Sequence, residues 1–315
     1  MQFIDAPTTR RALAFGPLIA ALRQMFVQGC EVPPRHTHTL QPPAGPAMTV
    51  LIMPAWQPDA YLGIKTVNIA PGNAARGLPG LHASYLLYDA RSGVPLAQID
   101  GNEITARRTA AASALAAAML ARPDSRKLLI VGAGRVAALL AEAYRAVLPI
   151  EEVMVWSRRP DSAAALVDAL VAAPAEWQIA ARVAPDLAAA AAQADVVSCA
   201  TLATEPVLQG AWLRPGCHLD LIGSFTPAMR EADDDCFRGA RLFVDTEEAL
   251  LKSGELLGPM SRGVFRREDL AATLAQLCRG ERPGRGSATE RTVFKSVGTA
   301  LEDLAAARLV YETVA

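Results

Sequence analysis

Lys127-Leu128-Leu129-Ile130-Val131-Gly132-Ala133-Gly134-Arg135-Val136-Ala137 passes without a break from five residues that begin basic and become wholly apolar into a glycine turn and an Ala/Leu-rich segment reaching about Val147. A short apolar run of this kind fills a parallel sheet covered on both faces. Working outward, Glu152 to Trp156 reads as a second strand, Asp161 to Val171 as a helix, Ile179 to Val183 as a strand and Leu187 to Gln193 as a helix. Asp195 to Ala200, His218 to Ile222 and Arg241 to Val244 supply further apolar strands. Strand-helix alternation over this length predicts an α/β class with a doubly wound parallel sheet, a Rossmann arrangement.

Upstream the pattern differs. The first hundred residues are rich in proline and short apolar runs, with strands expected at Met48 to Met53, Tyr61 to Val67, His82 to Asp89 and Gly93 to Ile99. They predict a mostly antiparallel unit. A long Ala/Leu helix follows from Thr105 to about Ala121, and Arg122-Pro123-Asp124-Ser125 stops it. Ser296 to Thr313 has helical spacing and is expected to return to the first unit. The expected division is an α+β domain of residues 1–118 plus 297–315 and a Rossmann domain of residues 119–296.

Composition sets the outer bounds. The chain has 315 residues, 31 Lys+Arg against 32 Asp+Glu, and 51% hydrophobic residues. A chain of this length buries about 75% of its unfolded surface without needing a disulfide or metal staple. The charge balance carries no basic footprint for nucleic acid, and disorder has no support. No run of about 18 apolar residues lacks charge or proline, so no membrane partner is expected. Asp5 and Pro7 interrupt the region where a signal peptide would place its apolar core, which points to the cytoplasm. Five scattered cysteines with no Cys-x-x-Cys pair read as buried free thiols. His36 and His38 would share a strand face but lack a third ligand, so no metal is expected.

The match Gly132-x-Gly134-x-x-Ala137 gains meaning from its place between strand and helix. Gly132 permits the tight turn, Gly134 lets backbone approach a pyrophosphate, and Ala137 keeps helix close to strand. The backbone of Gly132, Gly134, Arg135, Val136 and Ala137 would therefore cradle the phosphates of a dinucleotide at a helix N-terminus. About twenty residues on, where an acid would take the ribose hydroxyls of NAD, the chain reads Trp156-Ser157-Arg158-Arg159. A guanidinium there suits a 2′-phosphate and Ser157 can donate to it, so NADP(H) is expected over NAD(H), with NAD(H) possible.

Candidate substrate residues lie in the first unit. Lys65 interrupts a mostly apolar strand, and Arg108 opens an apolar helix and would want an anion. With Arg35, three converging cations would hold a carboxylate.

Taken together, Gly63-Ile64-Lys65-Thr66-Val67-Asn68 with Pro71-Gly72-Asn73, Thr105 to Ala112, Gly132 to Ala137, Arg291-Thr292-Val293-Phe294-Lys295-Ser296-Val297-Gly298 and Glu302-Asp303-Leu304-Ala305 resemble the ornithine cyclodeaminase and mu-crystallin family from end to end. The resemblance implies a homodimer whose first domain binds substrate and forms the subunit contact, with a nicotinamide cofactor on the second. It places Arg35, Lys65 and Arg108 around the substrate carboxylate, with Lys65 and Arg108 catalytic. It places Thr109, Thr201, Ser224, Ser296 and Val297 near the cofactor. Where the cyclodeaminase branch carries Gly-x-Asp-x-Pro, this chain has Gly223-Ser224-Phe225-Thr226-Pro227. Phe225 can neither hold an ammonium nor accept its proton. The Gly-Ser-Phe-Thr-Pro form looks like the branch that reduces cyclic ketimines, and Phe225 would line the substrate site. Glu231, six residues on, is the acid that would have to swing in to replace the missing carboxylate; read as the start of a helix, it is expected instead to cap that helix or lie at the surface.

The expected activity is NAD(P)H-dependent reduction of Δ1-pyrroline-2-carboxylate or Δ1-piperideine-2-carboxylate to L-proline or L-pipecolate. Three alternatives stand beside it: ornithine cyclodeaminase, alanine dehydrogenase, and a non-catalytic NADPH-dependent binding protein of the mu-crystallin type. Removing Arg108 is expected to damage turnover much more than folding. His82 is a further candidate proton donor.

Overall fold

The structure is a computed structural model describing every residue except 44, 173–178 and 315, with the side chain at 74 also outside the description. In chain order its elements are β1 (Gln2–Ile4), α1 (Ala6–Ala12), α2 (Phe15–Gln28), β2 (His36–Leu40), β3 (Met48–Trp56), β4 (Tyr61–Ile69), β5 (Leu81–Asp89), β6 (Pro95–Asp100) and α3 (Gly101–Leu120). There follow β7 (Lys127–Val131), α4 (Ala137–Arg145), β8 (Glu152–Trp156), α5 (Pro160–Val171), β9 (Ala180–Val183), α6 (Leu187–Gln193), β10 (Val196–Cys199), β11 (His218–Leu221) and β12 (Arg241–Val244). The chain closes with α7 (Ala249–Lys252), α8 (Gly254–Ser261), β13 (Leu270–Thr273), α9 (Leu274–Cys278), β14 (Thr292–Lys295) and α10 (Ala300–Val314). Two compact units emerge, dividing within α3 between Arg108 and Thr109 and again between Gly298 and Thr299.

The first unit is built on a sheet of order β1-β6-β5-β4-β3-β2, antiparallel throughout except where β1 runs parallel to β6. Alternation along the strands sends Met53, Ala55, Val67, Tyr85, Leu87, Ala97 and Ile99 to a buried face. Helices α2 and α10 pack together there, and α10 also meets β3 and β4. Two helices precede the antiparallel strands that the sequence led us to expect. Asp5 caps α1 by accepting from Thr8 N at 3.0 Å, and α2 buries Phe15, Leu18, Ile19, Leu22, Met25 and Phe26. Gly16 and Pro17 look like breakers, yet Pro17 sits in the first turn of α2, where its missing N–H costs nothing.

The second unit is an entirely parallel sheet of order β13-β12-β14-β11-β10-β7-β8-β9. Strand order reverses between β7 and β10, the switch point at which such sheets leave a crevice outside the carboxyl ends of their strands. β14 is the strand the sequence did not signal. Only four residues long, and bounded by Thr292 and Lys295, it is fully buried between β11 and β12.

Candidate functional site

In the first unit, Lys65 and Arg108 come together. Lys65 lies on the inward face of β4 and is 1% exposed; its Nζ is 2.7 Å from both carboxylate oxygens of Asp303. Arg108 donates from Nε to Asp303 and from a terminal nitrogen to Glu302, each at 2.8 Å. Both acids sit in the first turn of α10, where the helix dipole favours negative charge. Burial pulls Lys65 down to about 8, against the opposing pull of Asp303. Burial would raise Asp303, but the Lys65 and Arg108 charges outweigh it and hold the carboxyl below its usual value.

Tyr85 on β5 stands directly opposite Lys65 on β4, and its hydroxyl oxygen fills the notch left by Gly63, where a Cβ would collide with it. Neighbouring Arg107 is structural: it donates to Leu13 O at 2.7 Å and stacks 4.4 Å over Phe15. Arg108 already has two carboxylate partners, and truncating it takes the guanidinium away from buried Glu302 and leaves buried Asp303 with Lys65 as its cation. Breaking a buried pair costs about 3–5 kcal/mol, so folding suffers, contrary to the expectation that removing Arg108 spares it. Arg35 lies half-buried immediately before β2, whose His36 pairs with Ile52. His82 is exposed on β5.

The second unit carries the glycine turn. Gly132 has φ +120°, and a Cβ there would lie 2.6 Å from Ala200 O, so only glycine fits. Gly134 is different, because a Cβ there would meet nothing within 4 Å. The space over the turn is open, next to the N-terminal end of α4, and this is where a pyrophosphate would be received. Ala137 is buried in the first position of α4. At the end of β8, Ser157 accepts from Arg159 N at 3.3 Å, and Arg158 and Arg159 are exposed.

Past the switch point, buried ionisable groups tie the strand ends together. Glu231 accepts from Thr201 N at 2.6 Å, Thr201 Oγ1 at 2.9 Å and Gly223 N at 2.7 Å. Glu255 accepts from Glu231 N at 2.7 Å and Ala232 N at 2.9 Å. Asp245 accepts from Val297 N at 2.8 Å, Gly298 N at 2.6 Å and Thr246 N at 2.7 Å. Lys295 donates to Leu221 O at 2.9 Å. Burial raises Glu231 above the ordinary carboxylate value and Glu255 to about 7, while burial lowers Lys295.

The expected cap or surface role of Glu231 is thereby corrected. It is fully buried, no helix starts at it, and its oxygens are taken up by backbone the sequence could not place beside it. Ser224 is also fully buried, donating to Met229 O at 2.5 Å and meeting Ser253 Oγ at 2.9 Å. Phe225 beside it is 36% exposed. Ser296 bonds through its N–H to Leu221 O at 3.2 Å, and Thr109 is half-buried within α3. Sequence reasoning missed Asp245, Glu302 and Asp303 as partners of the buried cations and backbone, and it misjudged Glu231. The one usable signal was the Glu302-Asp303 pair leading an Ala/Leu helix.

The fold is a doubly wound parallel sheet with a glycine turn at its switch point, the class of many dinucleotide-binding proteins, and comparison with known proteins specifies the family. The model of the ornithine cyclodeaminase/mu-crystallin family matches residues 8–315, and the chain belongs to that family. It is 43% identical over 318 residues to a Δ1-pyrroline-2-carboxylate reductase of Paracoccus denitrificans, covering 100% of this chain and 97% of that one. Among solved structures, the Δ1-pyrroline-2-carboxylate reductase of Thermococcus litoralis with NADH and L-proline is similar at TM-score 0.93 and 32% identity, covering 100% of this chain and 97% of that chain. An archaeal alanine dehydrogenase dimer with bound NAD is similar at TM-score 0.90 and 30% identity, with 100% and 96% covered. Among the described residues, no helix is long and apolar enough to cross a membrane.

Proposed function

We propose that this protein is an NAD(P)H-dependent reductase of cyclic ketimine carboxylates, acting on Δ1-pyrroline-2-carboxylate or Δ1-piperideine-2-carboxylate. The observation that carries the reading is the fate of the one acid in the Gly223–Glu231 segment. Glu231 spends its oxygens on Thr201 and Gly223, and Phe225 stands where a cyclodeaminase needs a carboxylate. A second ammonium on the substrate would find no base in this segment, whereas a cyclic imine needs none.

When bound, the reduced nicotinamide supplies a hydride to the imine carbon. Lys65 and Arg108 hold the substrate carboxylate, with Arg35 as a third cation. Proton delivery to the imine nitrogen falls to the Lys65 ammonium, since a group held near 8 is protonated at neutral pH yet able to release its proton. Thr109, Thr201, Ser296 and Val297 border the nicotinamide half, with Ser224 contributing through backbone because its hydroxyl is engaged. The exposed Arg158 and Arg159 beside Ser157 support a preference for NADP(H) over NAD(H).

The working form we propose is a homodimer. The outer face of the first sheet brings Pro54 opposite Ile64 and Ile64 opposite Leu86, and Trp56 opposite Leu62 and Leu62 opposite Tyr88. A sheet apolar on both faces needs a partner on the second.

The test is to mix protein, NADPH and each ketimine and follow the near-ultraviolet absorbance of the reduced nicotinamide. Loss of signal with NADPH that is much slower with NADH is the expected result. Ammonia released from ornithine with catalytic cofactor, or NADPH binding without turnover of any imino or keto acid, would replace the reading with one of its rivals.

A further inference from the structure

We infer that Glu231, Asp245 and Lys295 form a buried ionic framework that positions the nicotinamide half of the dinucleotide site, with Glu231 as its principal positioning residue. The inference rests on the reductase reading of the preceding section. In a doubly wound sheet the dinucleotide straddles the switch point, one mononucleotide on each side. Here the β7-β8-β9 side carries the glycine turn and the Ser157-Arg158-Arg159 end, which suit the adenosine and its phosphates. The other mononucleotide then belongs to the ends of β10, β11, β14 and β12.

Those four ends are joined in pairs by charged groups that solvent does not reach. Glu231 links Thr201 after β10 to Gly223 after β11. Lys295 at the end of β14 holds Leu221 at the end of β11. Asp245 after β12 takes the N–H groups of Val297 and Gly298 after β14. The joints are tight: a Cβ on Gly223 would collide with both Thr201 O and Glu231. Three buried ionisable groups tying successive strand ends are a costly way to build a loop scaffold, since each must be satisfied by hydrogen bonds of fixed direction. Fixed direction is what a ligand-binding floor needs, because a nicotinamide misplaced by about 1 Å loses its alignment for transfer. Glu231 in particular accepts three donors at two carboxylate oxygens, so it fixes the two strand ends nearest the switch point.

An amide cannot reproduce this arrangement. In Glu231→Gln one end becomes an NH2 facing a backbone N–H, and the Thr201 and Gly223 segments must part. The experiment measures dissociation constants by fluorescence for the whole reduced dinucleotide and for the adenosine fragment 2′,5′-ADP, in wild type and Glu231→Gln. Thermal melting without ligand accompanies both.

The expected result is weakening of the whole dinucleotide by about tenfold, the scale of one lost charge-assisted hydrogen bond, with the fragment unchanged within about twofold. Equal weakening of both ligands, or of neither, overturns the inference, since a merely structural role would not separate them. If Glu231→Gln shows no cooperative melt, Glu231→Asp and Asp245→Asn carry the same comparison at the same and the neighbouring joint. Failure of the wild-type chain to bind any dinucleotide would instead overturn the reductase reading.

Discussion

Lys65 shows how one side chain acquires chemistry from its surroundings. On the sequence it is an interruption in an apolar strand; in the fold it is sealed among Asp303, Arg108 and Tyr85, and burial brings it to about 8. The sign of its titration is definite. As pH rises through 8 the folded chain loses this ammonium, so under the reductase reading kcat/KM for the ketimine falls above pH 8. The unfolded lysine keeps its proton to about 10.5, so this group makes folding more favourable with rising pH between those values. A loss of activity without a loss of stability above pH 8 separates the two effects, and Lys65→Arg should remove the falling limb if the variant retains turnover. Arg108→Ala should lower the unfolding free energy by about 3–5 kcal/mol in urea titrations, because Glu302 and Asp303 stay buried without it. The cations were legible in the sequence. Their partners were not, because Asp303 is 238 residues from Lys65 in the chain and only the packing of α10 onto β4 brings them together.

At the level of elements, the turn after β7 and the turn after β8 divide the recognition of a dinucleotide. Reversing the charges of Arg158 and Arg159 to Glu should shift the ratio of kcat/KM values from NADPH toward NADH by at least about tenfold, measured with one ketimine, since a 2′-phosphate would then face like charge. The buried end of β11 makes a separate prediction. Burial raises Asp220 to about 6, although Ser198, Tyr144 and Ser113 all donate to it. A carboxyl whose folded value lies above its unfolded one contributes stability below about pH 4 that is lost as pH rises through 6. Asp220→Asn should therefore gain on wild type across that interval, read as the difference in denaturation midpoints between pH 4 and 7. The elements themselves followed their local patterns closely: β7, β8, α6 and β12 occupy the residues their apolar runs indicate. The short, Lys-ended β14 and the proline-bearing α2 escaped, because burial by neighbours rather than local pattern makes them what they are.

For the molecule as a whole, the apolar outer face of the first sheet carries the association prediction. Ile64→Glu at the centre of that face should convert a dimer into monomers by sedimentation or size exclusion while leaving the inward face of β4 untouched. What the sequence alone determined was the class of fold, the antiparallel strands before the parallel sheet and the position of the phosphate-binding turn. These depend on hydrophobic period, glycine conformation and chain order, all of which are local. What only the tertiary structure decided was the pairing of charges: that Lys65 and Arg108 meet acids of α10, and that Glu231 is a buried clasp rather than a surface cap. Which charges become neighbours depends on how distant segments pack, and the cost of burying them is defined only once that packing exists.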